Sequence, residues 1–189
     1  MYSSTHRANA EIDVEEGKRL TLVPHPGWRA DIRHADIGLT DTERRGAVEI
    51  LNAVLSDEFL LYTKTRGFHW NVEGPNFPEL HALFQKQYEQ LEQIIDDVAE
   101  RARSLGGIAA SSLEEYLDLA RLEEESGRRH DARGMIAALL TDHEKMIRSL
   151  RADIESCSED HGDDGTTDFL TGLMRVHEKI AWMLRAYLA

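Results

Sequence analysis

The chain has 189 residues, 41% of them hydrophobic, which suffices for one domain with a packed core. Its formal charge of −13 excludes broad electrostatic attraction to phosphate backbones or acidic membranes and favours attraction of cations. A single cysteine, Cys157, rules out an intrachain disulfide. No apolar run approaches the roughly 20 residues that span a bilayer, and the N-terminus MYSSTHRANAEIDVEEGK lacks the apolar region of a signal peptide, so a cytoplasmic protein without membrane contact is expected.

Residues 1–40 carry Pro24, Pro26 and Gly27 but little periodicity, and read as an extended N-terminal arm. From residue 41 to 189 apolar residues recur at helical spacing. Thr40 and Glu43 form a capping box that opens a first helix near Asp41, with Leu51, Leu55, Phe59 and Tyr62 on one face and an end before Gly74-Pro75. A second helix follows, with Leu80, Phe84, Leu91, Ile94, Val98, Ala102 and Leu105 inward, ending at Gly106-Gly107. Ser111 with Glu114 and Ser112 with Glu115 open a short helix that reaches about Leu122 within a long crossover. Met135, Leu139, Met146, Leu150 and Ile154 trace a third long helix, and Phe169, Leu173, Ile180, Met183 and Tyr187 a fourth, with SCSEDHGDDGTT as the turn between them. The fold class is all-α: a four-helix bundle with a short helix in the crossover between helices two and three.

Potential metal ligands fall into two groups. His69 and His81 lie six residues either side of Pro75, so an antiparallel helix pair turning there sets both imidazoles at similar height. Asp96 and Glu100, four apart, project from one face of the second helix. Asp96 is fifteen residues beyond His81, about 22 Å along a helix that rises 1.5 Å per residue, so the two groups cannot share an ion within one chain. A two-fold axis near Glu89 and Gln90 would bring Asp96 and Glu100 of one subunit opposite His69 and His81 of another, creating two identical sites. Imidazole mixed with carboxylate oxygen suits iron, manganese or zinc.

The segment HWNVEGPNFPELHALFQKQYEQLEQIIDDVAERARSLGG resembles the Dps family, the mini-ferritins that protect DNA during starvation, and the resemblance extends from about Asp41 to Leu188. It implies a ferritin-like bundle assembled from two-fold dimers into a hollow dodecamer. It also implies ferroxidase centres at the dimer interfaces, hydrogen peroxide as the usual oxidant, and ferric iron stored inside as a defence against oxidative damage. Its ferroxidase ligands fall on His69, His81, Asp96 and Glu100, and its neighbouring tryptophan on Trp70. Where many members carry an aspartate four residues after the second histidine, this chain has Gln85, which puts the second metal position in doubt. Gln85 and, as a substitute for it, His177 are the candidate ligands there.

Other features lie outside that motif. His143-Glu144 and His177-Glu178 are adjacent pairs on the last two helices and form a competing metal location, although no histidine has a glutamate three residues before it. Between Asp153 and Asp168 there are seven acidic residues and no lysine or arginine. In the resembling family this region lines iron-entry pores, which makes Asp163, Asp164 and Asp168 the pore candidates. The alternative function is that of a nucleoid-associated architectural protein, for which Arg7, Lys18, Arg19, Arg29 and Arg33 would supply the charge. Five basic against seven acidic residues in the first 41, and no basic extension after WMLRAYLA, argue against direct duplex binding. His6, His25 and His34 could form a further arm site.

Overall fold

The computed structural model describes residues 30–189; the arm features at His6, Arg7, Lys18, Arg19, Pro24, His25, Pro26, Gly27 and Arg29 lie outside that range. Five helices follow in order: α1 Asp41–Asn71, α2 Phe77–Ser104, α3 Leu113–Leu119, α4 Ala132–Glu159 and α5 Asp164–Leu188. Helices α1 and α2 form one hairpin, α4 and α5 a second, and the two pack together through α1 against α4 and α2 against α5, with α3 lying on α1. Leu51, Leu55, Leu61, Phe84, Leu91, Leu139, Met146, Leu150, Leu170 and Leu184 fill the shared core. The expected all-α bundle with a helix in its crossover is therefore the fold.

Local chemistry sets the helix ends. The Thr40 side chain accepts from the Glu43 amide while the Glu43 carboxylate accepts from the Thr40 amide at 2.7 Å, so two otherwise orphaned donors are satisfied. Ser112 and Glu115 repeat this device at α3, which ends at Leu119 rather than Leu122. Gly106, past the end of α2, has φ +83°, and a Cβ there would lie 2.6 Å from the Arg33 carbonyl oxygen. That approach lets the chain at residues 31–33 pair with 106–108 through Arg33 N–H to Gly106 C=O at 2.8 Å and Ile108 N–H to Asp31 C=O at 3.1 Å.

Two expectations need correction. The turn between the last long helices is four residues long, 160–163, because α4 continues through Ser156, Cys157, Ser158 and Glu159 and α5 starts at Asp164. Ser156 donates to Asp160 along the helix surface at 2.8 Å, and the side chain of Asp163 caps α5 by accepting from the Thr166 amide at 2.9 Å. The inward stripe of α5 is Leu170, Leu173, His177, Ile180, Ala181 and Leu184. Met183 and Tyr187 are 41% and 40% exposed, and Phe169 is half-buried beside the core.

The crossover is fastened to the bundle by polar side chains that α1 buries. Asn52 donates to the Ile108 carbonyl at 3.0 Å and accepts from the Ala110 amide at 2.6 Å. Asp57 accepts from the amides of Arg121 and Leu122 at 2.6 and 2.8 Å and from the Arg121 guanidinium at 2.7 Å. The same guanidinium bonds both carboxylate oxygens of Asp153 on α4 at 2.8 Å. Burial lifts the pKa of Asp153 to about 6 against the pull of Arg121, so this ion pair forms at a desolvation cost. Replacing Arg121 with alanine would leave two buried carboxylates without their counter-charge, Asp57 keeping only its two backbone amide donors; an expected loss of about 3–5 kcal/mol in denaturant unfolding checks the clamp.

Candidate metal centre

His69 sits in the last turn of α1 and His81 in the second turn of α2, across a five-residue turn in which Gly74 has φ +111°. Their rings stack with centroids 3.7 Å apart. Nδ1 of His69 bonds the His81 carbonyl oxygen at 2.8 Å, and Nδ1 of His81 bonds the His69 carbonyl oxygen at 2.9 Å. A carbonyl only accepts, so in each neutral ring Nδ1 carries the proton and Nε2 keeps its lone pair. Locking one nitrogen to a backbone carbonyl is how metal-ligating histidines are oriented. Tyr88 meets the His69 ring edge-on at 5.2 Å, and Phe77 lies 5.0 Å from the His81 ring. Trp70 points outward, 66% exposed, with the Arg66 guanidinium 5.5 Å from its ring.

Asp96 and Glu100 are exposed on the outer face of α2, where Asp96 lines a groove of about 470 Å³ with Glu89, Glu92 and Gln93 above Leu55 and Tyr116. One chain does not bring them to the histidines. Among the described residues, no three His, Cys, Asp or Glu side chains gather into a metal-binding group. Gln85, one turn beyond His81, is exposed on the same stripe, and its amide nitrogen donates to Glu89 at 2.8 Å.

His177 lies elsewhere. It is fully buried between the hairpins, its Nδ1 2.9 Å from Nδ1 of His143 and its Nε2 2.7 Å from Glu58 of α1. With both ring nitrogens engaged there, it does not substitute for Gln85. The expected proximity of the His143 and His177 pairs is observed, but their glutamates turn outward, Glu144 to Arg185 and Glu178 to Arg151, each at 2.6 Å. Glu58 is the carboxylate that sequence reasoning missed, and a signal existed. It occupies the inward stripe of α1 between Leu55 and Leu61, where a charge has to have a partner.

Against a Glu58 carboxylate, which only accepts, His177 Nε2–H is the donor, which leaves His177 Nδ1 to accept from His143 Nδ1–H. The result is a linear relay rather than a cage, and it ends in two buried atoms without partners, Glu58 Oε2 and His143 Nε2. Burial, reinforced by His177, holds the pKa of His143 well below the ordinary histidine value.

The acidic candidates near the α4–α5 turn divide similarly. Asp163 is buried, caps α5 and pairs with Arg101 at 3.0 Å, so it is a structural residue rather than a pore lining. Asp164 and Asp168 are exposed. Cys157 is buried and its thiol is pushed up to about 12 by burial and by the carboxylates of Asp153 and Asp163, which makes it a poor nucleophile.

With this geometry in hand, comparison with known proteins places the chain. The family model for the ferritin-like domain matches residues 48–189. A DNA protection during starvation protein of Bacillus anthracis is 37% identical over 75% of this chain and 95% of its own length. This chain belongs to the Dps family. A low temperature-induced protein of Nostoc sp. is 48% identical over 81% of the chain and 86% of that protein. Among solved structures, DpsC of Streptomyces coelicolor superposes with a TM-score of 0.80 at 28% identity, covering 84% of this chain and 92% of that one. The Dps protein of Vibrio cholerae, described as a member of a broad superfamily of ferritin-like diiron-carboxylate proteins, gives 0.77 at 32% identity over 83% of this chain and all of its own. Iron binding is accordingly the chemistry that this Dps fold implies. No helix among the described residues is long and apolar enough to cross a membrane.

The His143 relay gives this Dps protein a pH signature. Below about pH 6.5 an unfolded histidine takes a proton that native His143 refuses, so the unfolded state binds more protons and stability falls as pH falls. A His143→Gln variant can still donate to His177 but does not titrate. Relative to wild type, its stability should improve by about 1.4 kcal/mol per pH unit below 6.5. Urea unfolding of both proteins across pH 5–7 checks this, and the comparison cancels the opposite contribution of Asp153.

Proposed function

We propose that the protein is an iron-storage and detoxification ferroxidase that oxidises Fe(II) with hydrogen peroxide at centres shared between two-fold subunits, and holds ferric mineral inside a hollow dodecamer. The observation that carries this reading is the locked histidine pair, in which each ring has Nδ1 tied to a backbone carbonyl, the arrangement that leaves Nε2 as the atom to meet a metal. Asp96 and Glu100, about 22 and about 28 Å beyond His81 along α2, supply the charge from the second subunit. The centre thus combines nitrogen and carboxylate ligands that suit Fe(II), and equally admits zinc or manganese as competitors.

In this mechanism His69 and His81 orient the iron, while Asp96 and Glu100 neutralise its charge and favour the ferric product. Two Fe(II) ions each give up one electron, the O–O bond of one peroxide breaks, and two hydroxide ions form. Because both electrons reach the same peroxide, no hydroxyl radical is released, so protection of DNA is chemical and does not require DNA binding. Trp70, exposed beside His69, is placed to intercept stray one-electron oxidants. Asp164 and Asp168 are the carboxylates that remain to draw Fe(II) towards the assembly.

Sharing between subunits has a sharp consequence. His81→Ala and Asp96→Ala homo-oligomers should each lose saturable peroxide-dependent Fe(II) oxidation. A mixed dimer of the two variants loses both ligands from one centre and keeps a complete set in the other, so each mixed dimer should work at about half of the wild-type rate, and random 1:1 co-assembly, in which about half of the dimers are mixed, should restore about a quarter of it. Stopped-flow oxidation assays on the three preparations decide the matter; normal kinetics in the His81→Ala, Asp96→Ala double variant would overturn the reading.

A further inference from the structure

Along the outer face of α2, His81, Gln85, Glu89, Glu92, Asp96 and Glu100 succeed one another at spacings of three or four residues and so form one stripe. In the proposed interface centre the helices run antiparallel, and the four-residue steps from His81 to Gln85 and from Asp96 to Glu100 match. When His81 meets Glu100 of a second copy, Gln85 therefore meets that copy's Asp96. Gln85 is thus the residue from its own chain at the second metal position, and a neutral amide stands where charge is wanted.

A carboxamide has a donor end and an acceptor end, and which end faces a cation decides whether it binds. Here the neighbour settles the orientation. Glu89 carries carboxylate oxygens, which only accept, so the group within 2.8 Å of it has to be the amide nitrogen. The carbonyl oxygen of Gln85 is then the end of the amide that this hydrogen bond leaves available as a ligand. Donation to an anion also polarises the amide and makes that oxygen more electron-rich.

We propose that Glu89 is the positioning residue of the second metal position: it fixes the Gln85 carboxamide with its oxygen towards the cation and supplies, one helical turn away, the negative charge that Gln85 lacks. This inference rests on the shared interface centre proposed above and adds to it the origin of second-cation affinity. Glu89 makes no contact with the cation and acts through Gln85. The ligand class is a divalent cation, Fe(II) in turnover and Zn(II) as a redox-silent probe.

A thermodynamic cycle of substitutions tests this, read by anaerobic Zn(II) titration of the assembled full-length protein, with gel filtration to confirm assembly. Wild type should bind two Zn(II) per centre. Glu89→Ala should leave the first binding step unchanged and weaken the second by about 10- to 100-fold, the usual consequence of losing an orienting partner. Glu89→Gln, which keeps an acceptor for the amide but loses the charge, should fall between them and serves where the alanine variant fails to assemble. In a Gln85→Asp background the ligand carries its own charge, so Glu89→Ala should leave the second step unchanged. A merely structural role for Glu89 would not produce that dependence. Unchanged second-site binding in Glu89→Ala, or an equal loss in the Gln85→Asp background, overturns the proposal. If wild type binds one Zn(II) per centre and Gln85→Asp binds two, the interface centre stands and the role of Glu89 falls. If wild type binds none, the centre itself falls.

Discussion

The stiffness of α2 governs the proposed chemistry. A helix of 28 residues with a rise of 1.5 Å per residue holds His81 and Asp96 about 22 Å apart, and no rotamer closes such a distance. A protein with ligands on both halves of one rigid rod has either two unrelated half-sites or a site completed by a second copy. On the proposed reading a second copy completes the site, and the build of the histidine half is consistent with that role. Its rings stack, each orders the other through a backbone carbonyl, and Tyr88 and Phe77 pack beside them. Such preorganisation costs conformational entropy that a solvent-facing pair would have no reason to lose.

Two polar networks inside the bundle fix the helices against which that rod packs. Arg121 draws Asp57 of α1 and Asp153 of α4 to one guanidinium, and thereby ties the crossover to both hairpins. The Glu58–His177–His143 relay links α1 to α5 and α4. Apolar side chains alone would allow the hairpins to slide by a turn at small cost, whereas a one-turn slip would strand several buried polar atoms at about 1–3 kcal/mol each. The polar interior thus specifies register, while the leucines and Phe84 provide most of the stabilising burial.

Much of this was legible in the amino-acid order. Capping boxes at Thr40 and Ser112, the glycines after α2 and the period of its apolar residues placed the first helices closely, because those signals act within one or two turns. Reading failed where one residue type serves two purposes. Serine and aspartate from 156 to 164 look like a loop, but Ser156 bonds along the surface of α4 and Asp163 caps α5, so the helices meet across four residues. Spacing alone did not separate the inward Leu170 and Leu184 from the outward Met183 and Tyr187, since apolar residues occupy more than one face of α5. His143 and His177 do meet in the core, yet Glu58 stands more than 80 residues in sequence from the nearer of them, and only tertiary packing supplies that partner.

Glu92 and Asp96, and Asp96 and Glu100, are like-charged neighbours four residues apart on α2, an arrangement that weakens a helix by itself. An antiparallel second copy doubles the carboxylates along that seam, so on the proposed reading the isolated subunit and the empty dimer are both electrostatically frustrated. Cations relieve that frustration only when the seam is closed, because only then do imidazole and carboxylate converge on one ion. Metal binding and subunit association are therefore linked: whatever free energy the cation gains from the paired state is returned as stability of the pair. An acidic surface that opposes assembly in the absence of metal and promotes it in its presence fits a protein whose substrate is itself the cation.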